Sequence, residues 1–155
     1  MNRRNFLTTT TAALAGSALV PADNYFTPGV YQSLTSILIT GDLTLDGQGD
    51  PNALFIFQSS STVGTADGAP GTNTKIILTG GAKASNVWWQ AGTSATLGTN
   101  SVFQGNILAA ADITMKTGAT SCGRLLAGAF TAGAFVFDSN IVSVPGNVNA
   151  PAGCQ

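Results

Sequence analysis

Three short strand-like strokes recur in fixed order from about residue 54 to residue 144. The first reads Phe55-Ile56-Phe57-Gln58, Val87-Trp88-Trp89-Gln90, Asn106-Ile107-Leu108-Ala109 and Arg124-Leu125-Leu126-Ala127. The second reads Thr62-Val63-Gly64-Thr65, Ala95-Thr96-Leu97-Gly98, Ile113-Thr114-Met115-Lys116 and Phe135-Val136-Phe137-Asp138. The third reads Lys75-Ile76-Ile77-Leu78, Val102-Phe103-Gln104-Gly105, Ser121-Cys122-Gly123-Arg124 and Ile141-Val142-Ser143-Val144. The later copies lie roughly 20 residues apart, a period that predicts a solenoid laying one strand per coil on each of three faces. Crossovers between parallel strands are almost always right-handed, so the expected fold is an all-β, right-handed parallel β-solenoid (β-helix) with three faces.

Composition supports this and narrows function. The 155 residues make one domain. Gly is abundant at 19, charged residues are only 8%, and 44% of residues are hydrophobic. β-Branched residues with Gly punctuation favour strands and tight corners over helices. No basic stripe is present for a phosphate backbone, which argues against nucleic acid. Beyond the leader no apolar run is long enough to span a bilayer.

Residues 1–22 read as an export signal. Arg3-Arg4 before Phe6-Leu7 and a Thr/Ala/Leu run resembles a twin-arginine leader, and Val20-Pro21-Ala22 offers a cleavage site after Ala22. An ordinary secretory signal is the alternative. Both place the protein outside the cytoplasm, as a secreted, cell-surface or periplasmic molecule. Residues 23–144 then form the solenoid and 145–155 an irregular tail. Cys122 and Cys154 can form one bridge in an oxidising compartment; two separate thiols are the alternative.

Other chemistry is poorly supplied. The chain has no His, and all seven acids are Asp. Paired carboxylates or a metal with a base are what lyases and hydrolases on β-helices need, so the chain is read as not an enzyme. The Asp46-to-Asn52 cluster lacks the Gly and the closing Glu of an EF-hand and reads as a corner turn. Neighbours on a strand point to opposite faces, so one of Trp88 and Trp89 belongs to the core; the other could stack on a sugar, or pack under a loop.

Several longer motifs, in order, resemble one family. They are Thr27-Pro28-Gly29-Val30-Tyr31, the run from Leu43-Thr44-Leu45-Asp46-Gly47 through Phe55-Ile56-Phe57-Gln58, Asn86-Val87-Trp88-Trp89-Gln90, Phe103-Gln104-Gly105-Asn106-Ile107-Leu108-Ala109 and Gly123-Arg124-Leu125-Leu126-Ala127. The family is that of microbial ice-binding (antifreeze) proteins with a discontinuous β-solenoid. The resemblance covers about residues 27–144. It implies an exported protein that adsorbs to ice, limits growth or recrystallisation, and needs no cofactor. A polysaccharide-binding or adhesion module on the same scaffold is the alternative.

The resemblance also directs attention to a threonine ladder. Thr72 and Thr74, Thr99 and Ser101, Thr117, Ala119 and Thr120, and Ser139 and Asn140 lead into successive copies of the third stroke. Thr117-Gly118-Ala119-Thr120 resembles a Thr-Gly-x-Thr pattern of that family's ice face. Stacked coils repeat such residues at about 4.7–4.9 Å, and the stiff Thr stem carries a methyl that can cage water and a hydroxyl that can anchor it. These nine residues are the expected ice-contacting set. Strand preference alone is the competing explanation for so much Thr and Ser. Relatives usually carry further N-terminal coils and a long helix alongside the solenoid. Here Thr27 follows the expected cleavage site closely, which leaves a face uncovered and predicts either self-association or a stability markedly below that of longer relatives.

Overall fold

A computed structural model describes residues 18–19, 24–148, 150 and 153–154. The strands run in triplets. The first coil holds β1 (Ala18–Leu19), β2 (Tyr25–Phe26) and β3 (Gly29–Ser33). The second holds β4 (Ile37–Ile39), β5 (Asp42–Asp46) and β6 (Phe55–Ser59). The third holds β7 (Val63–Thr65), β8 (Lys75–Thr79) and β9 (Val87–Ala91). Next come β10 (Ala95–Leu97), β11 (Val102–Gln104) and β12 (Asn106–Ala109), then β13 (Ile113–Met115), β14 (Thr120–Cys122) and β15 (Leu125–Leu126). The last coil has β16 (Phe135–Phe137) and β17 (Ile141–Ser143).

Every third strand stacks on its predecessor. Face A is the sheet β1-β4-β7-β10-β13-β16, face B is β2-β5-β8-β11-β14-β17, and face C is β3-β6-β9-β12-β15. All pairings are parallel. The described residues include no α-helix, only a 3-10 turn at Ala84–Asn86. No helix among them is long and apolar enough to cross a membrane. Of the leader reading at residues 1–22, only Ala18–Leu19 is described; these pair with Leu38 and Ile39. The described part of the tail is irregular.

Strand pleating explains the core. Inward positions carry Ile37 and Ile39, Leu43 and Leu45, Phe55 and Phe57, Leu97, Phe103, Ile107 and Ile113, each essentially inaccessible. Burying each such side chain contributes about 1.5–3 kcal/mol. An aromatic column runs up face C, with Tyr31 stacked on Phe57 and Phe57 on Trp89. Trp89 is fully buried and its indole N–H donates to the Gln104 carbonyl at 3.1 Å, while Trp88 points outward and is half-buried.

Corners are closed by amides and glycines. The buried Asn106 carboxamide donates to the Ser85 and Val87 carbonyls, both at 3.1 Å, and accepts the Arg124 N–H at 3.1 Å. It thereby joins three successive coils. Gly105 and Gly123 turn the adjoining corner with φ of 115° and 143°. A Cβ on Gly123 would lie 2.0 Å from the Gly105 carbonyl oxygen, so no larger residue fits without moving backbone.

Candidate ice-facing surface

The three faces differ in what they offer a flat partner. On face B the outward side chains of Gln104, Cys122 and Ser143 are all buried, under the C-terminal tail. Cys122 and Cys154 are bridged, with Cα atoms 5.4 Å apart, and Gln104 donates to the Gly153 carbonyl at 3.2 Å. The uncovered part of face B mixes Asp42, Lys75 and Ile77. Face C presents a concave strip of Ile56, Trp88, Leu108 and Phe130, with Gln58 and Gln90 at its margin.

Face A is different. Its outward row reads Leu38, Gly64, Thr96, Thr114 and Val136, each in register with the next. Beside it runs a second row, Ser36, Thr62, Ser94 and Asp112, aligned by backbone bonds from Ile37 to Thr62, Val63 to Ser94 and Ala95 to Asp112. Thr62 donates its hydroxyl to Ser36 at 2.8 Å. Thr35, Ser61 and Thr93 continue the hydroxyl-rich strip at the corner with face C. Neighbours within a row are about 4.7–4.9 Å apart, and the rows about 6.6–6.8 Å apart. Ser36, Thr62, Ser94, Thr96 and Thr114 give this grid short, uncharged side chains, with Leu38 in the first row and one carboxylate, Asp112, ending the second row.

The ladder expected from sequence lies elsewhere, at the corner where face A turns into face B. Thr72, Thr117 and Ser139 are exposed there, and Thr99 and Thr120 are half-buried. Thr74, Ser101 and Ala119 are buried and point into the core, which removes them from any surface a crystal could meet. The reason is parity: Phe103 and Ser121 point inward, and positions two before them share that direction. Asn140 is also occupied internally, its carboxamide donating to the Lys116 and Ala119 carbonyls at 2.8 and 3.0 Å. The remaining corner residues sit among charges. Asp67 pairs with Lys116 at 2.8 Å and accepts the Thr99 N–H at 2.7 Å, while the Thr117 hydroxyl donates to Asp138. The Lys116 ammonium first, and then the Thr99 N–H, hold the Asp67 carboxyl below the usual carboxylate range.

The row of Thr96 and Thr114 on face A could have been found in the sequence. The signal was the segment Thr93-Ser94-Ala95-Thr96, where small and hydroxyl side chains flank an inward Ala.

The fold is a three-faced parallel β-solenoid, with short side chains along most of the outward rows of face A. Residues 4–142 match the ice-binding-like family, and the chain belongs to that family. It is 52% identical over 118 residues to an ice-binding protein of Nostoc sp. (strain HG1), covering 76% of this chain and 40% of that protein. It is 41% identical over 102 residues to ice-binding protein 1 of Shewanella frigidimarina (strain NCIMB 400), covering 65% of this chain and 11% of that one. Among solved structures, the ice-binding protein of the Antarctic ascomycete Antarctomyces psychrotrophicus superposes with a TM-score of 0.73 at 45% identity, over 83% of this chain and 59% of that chain. The chain thus spans well under two thirds of these relatives. They give no support to the polysaccharide-adhesion alternative.

Proposed function

We propose that this protein adsorbs to ice through face A and thereby slows ice growth or recrystallisation. The observation that carries this is the grid of short hydroxyl side chains of Ser36, Thr62, Ser94, Thr96 and Thr114, with Asp112 as its one named charge, on the face that neither tail nor apolar groove occupies. β-Branched Thr holds its methyl and hydroxyl in few rotamers, so little side-chain freedom is lost on contact. The methyls order water between rungs, and the hydroxyls bond that water to the protein. No group is transferred and no cofactor is needed. Relatives of the same fold, named as ice-binding proteins, support the reading.

The test is thermal hysteresis and recrystallisation inhibition of the purified chain, with Thr96→Tyr and Thr114→Tyr alongside. Both positions point outward, so circular dichroism should be unchanged while ice activity falls by most of its value. Full activity in both folded variants would remove face A from consideration.

Export through residues 1–22 belongs to the same proposal, and a protein bridged between Cys122 and Cys154 suits an oxidising compartment. Cleavage after Ala22 would release β1 from β4. N-terminal sequencing of protein recovered outside the cytoplasm decides this: a start at Asp23 supports it, and a start at Met1 or Asn2 overturns it.

A further inference from the structure

Face A has a third outward row, on the side away from Ser36 and Thr62. It is formed by the residues that follow each strand: Thr40, Ala66, Gly98, Lys116 and Asp138. The registers of β4 with β7, and of β10 with β13 and β16, align them. The Ala66 and Lys116 N–H groups donate to the Ile39 and Leu97 carbonyls. Thr114 lies two residues before Lys116, so the two point the same way, about 6.6–6.8 Å apart. A lysine stem reaches nearly that far, and an ammonium holds its water strongly. A free Lys116 would carry its own hydration shell over Thr114 and Thr96.

The structure holds it elsewhere. The Lys116 ammonium lies 2.8 Å from the Asp67 carboxylate, at the corner two coils earlier. Two coils are roughly 9–10 Å, so the stem runs along the solenoid axis across the intervening rung. That rung is Gly98, and it is bare by necessity: a Cβ there would lie 2.5 Å from the Ala66 carbonyl oxygen. Gly98 is nonetheless buried. Asp67 is itself fixed, because its other oxygen accepts the Thr99 N–H at 2.7 Å. One carboxylate thus ties the third, fourth and fifth coils. Asp138 stands on the coil next to Lys116, but its carboxylate accepts the Thr117 hydroxyl.

We infer that Asp67 is a positioning residue for ice adsorption. It holds the Lys116 ammonium at the margin of face A, over the bare Gly98 rung, and so keeps a long cation off the grid of Thr96 and Thr114. The inference rests on face A being the adsorbing surface. The pair is exposed and contributes little to stability; its consequence is where the charge stands.

Two measurements test it. Amine-reactive labelling with peptide mapping compares Lys116 with Lys83, which is exposed and makes no ion pair among the described residues. Lys116 should label several times more slowly than Lys83 in the unsubstituted chain, and at a similar rate in Asp67→Asn. Asp67→Asn should also lower thermal hysteresis and recrystallisation inhibition severalfold. Circular dichroism and melting temperature should barely change, since the Asn carbonyl can still accept the Thr99 N–H. Asp67→Asn combined with Lys116→Met should restore the activity, and Asp138→Asn should leave it as it was. Equal labelling of the two lysines in the unsubstituted chain, or full activity in Asp67→Asn, would overturn the inference. So would a double variant as weak as Asp67→Asn, which would place the loss in the tie between coils rather than in the charge. Thr96→Tyr and Thr114→Tyr, measured alongside, separate the causes. Full activity in both removes face A and this inference together; loss in both, with Asp67→Asn indifferent, removes this inference alone.

Discussion

Phe57 and Trp89 lie face to face on consecutive coils, with ring centroids 4.1 Å apart and planes 10° from parallel. Their overlap exists because β6 and β9 pair in register, Phe57 opposite Trp89. Trp89→Ala removes that contact, the largest fully buried side chain, and the bond to Gln104, and should cost about 3–5 kcal/mol. A denaturant melt with near-ultraviolet circular dichroism measures it. Trp88→Ala, on the outward side, should cost distinctly less.

The buried corner positions give the opposite kind of test. Ala119 has no accessible surface, so Ala119→Tyr should unfold or severely destabilise the chain. Thr99→Tyr, at the same corner but half exposed, should fold and keep its ice activity. Thermal melts beside thermal hysteresis separate the two outcomes.

Ser121 occupies an inward position beneath Val142, and its hydroxyl has no hydrogen-bond partner among the described residues. An unpaired buried hydroxyl is a cost that Ser121→Ala removes with little change of volume. Stability should rise by about 1 kcal/mol. The readout is the melting temperature of the oxidised protein.

The Cys122–Cys154 bridge closes a segment with a sequence separation of 32. Cys154→Ser, or reduction, should lower stability by about 2–4 kcal/mol and free the tail from face B. Hydrogen exchange at β11 and β14 should report the exposure of Gln104. Ice activity should be retained in the folded fraction, since face A is untouched.

Acid should matter only at low pH. The Asp67 and Asp46 carboxyls titrate below their ordinary value in the folded protein. Asp46 is held down first by the Tyr25 hydroxyl and then by the Gln48 N–H. A lowered folded value means the stabilisation is present above the unfolded value near 3.8 and is lost as pH falls below it. With no His in the chain, stability should be flat from about pH 5 to 8. Lys116→Met should remove part of the acid-side dependence, as a pH series of melts would show. Both carboxyls are solvent-exposed, so the effect should be small.

The coils themselves were plain in the sequence. Each stroke of the recurring pattern became a strand of one face because alternation and Gly corners are local signals, read without knowing the neighbours. The identity of the buried Trp was left open, since parity alone does not say which of Trp88 and Trp89 turns inward; the aromatic column decides it. The candidate surface was less legible. Thr74, Ser101 and Ala119 look like rungs of an exposed ladder, and in composition they are. Counting back two from Phe103 would have turned them inward, but a corner between the strokes breaks the count. The covering of face B was also hidden, because it depends on a bridge between residues far apart in sequence.

The spacing between Thr96 and Thr114 is set by peptide hydrogen bonds, not by side chains. Substitution can therefore alter the chemistry of the outer rows, but it cannot alter their pitch. A whole coil inserted between β12 and β13 would lengthen the template at the same pitch. One residue inserted within β10 would instead turn Thr96 to the core and Leu97 to the solvent. The molecule can thus gain reach only in whole turns.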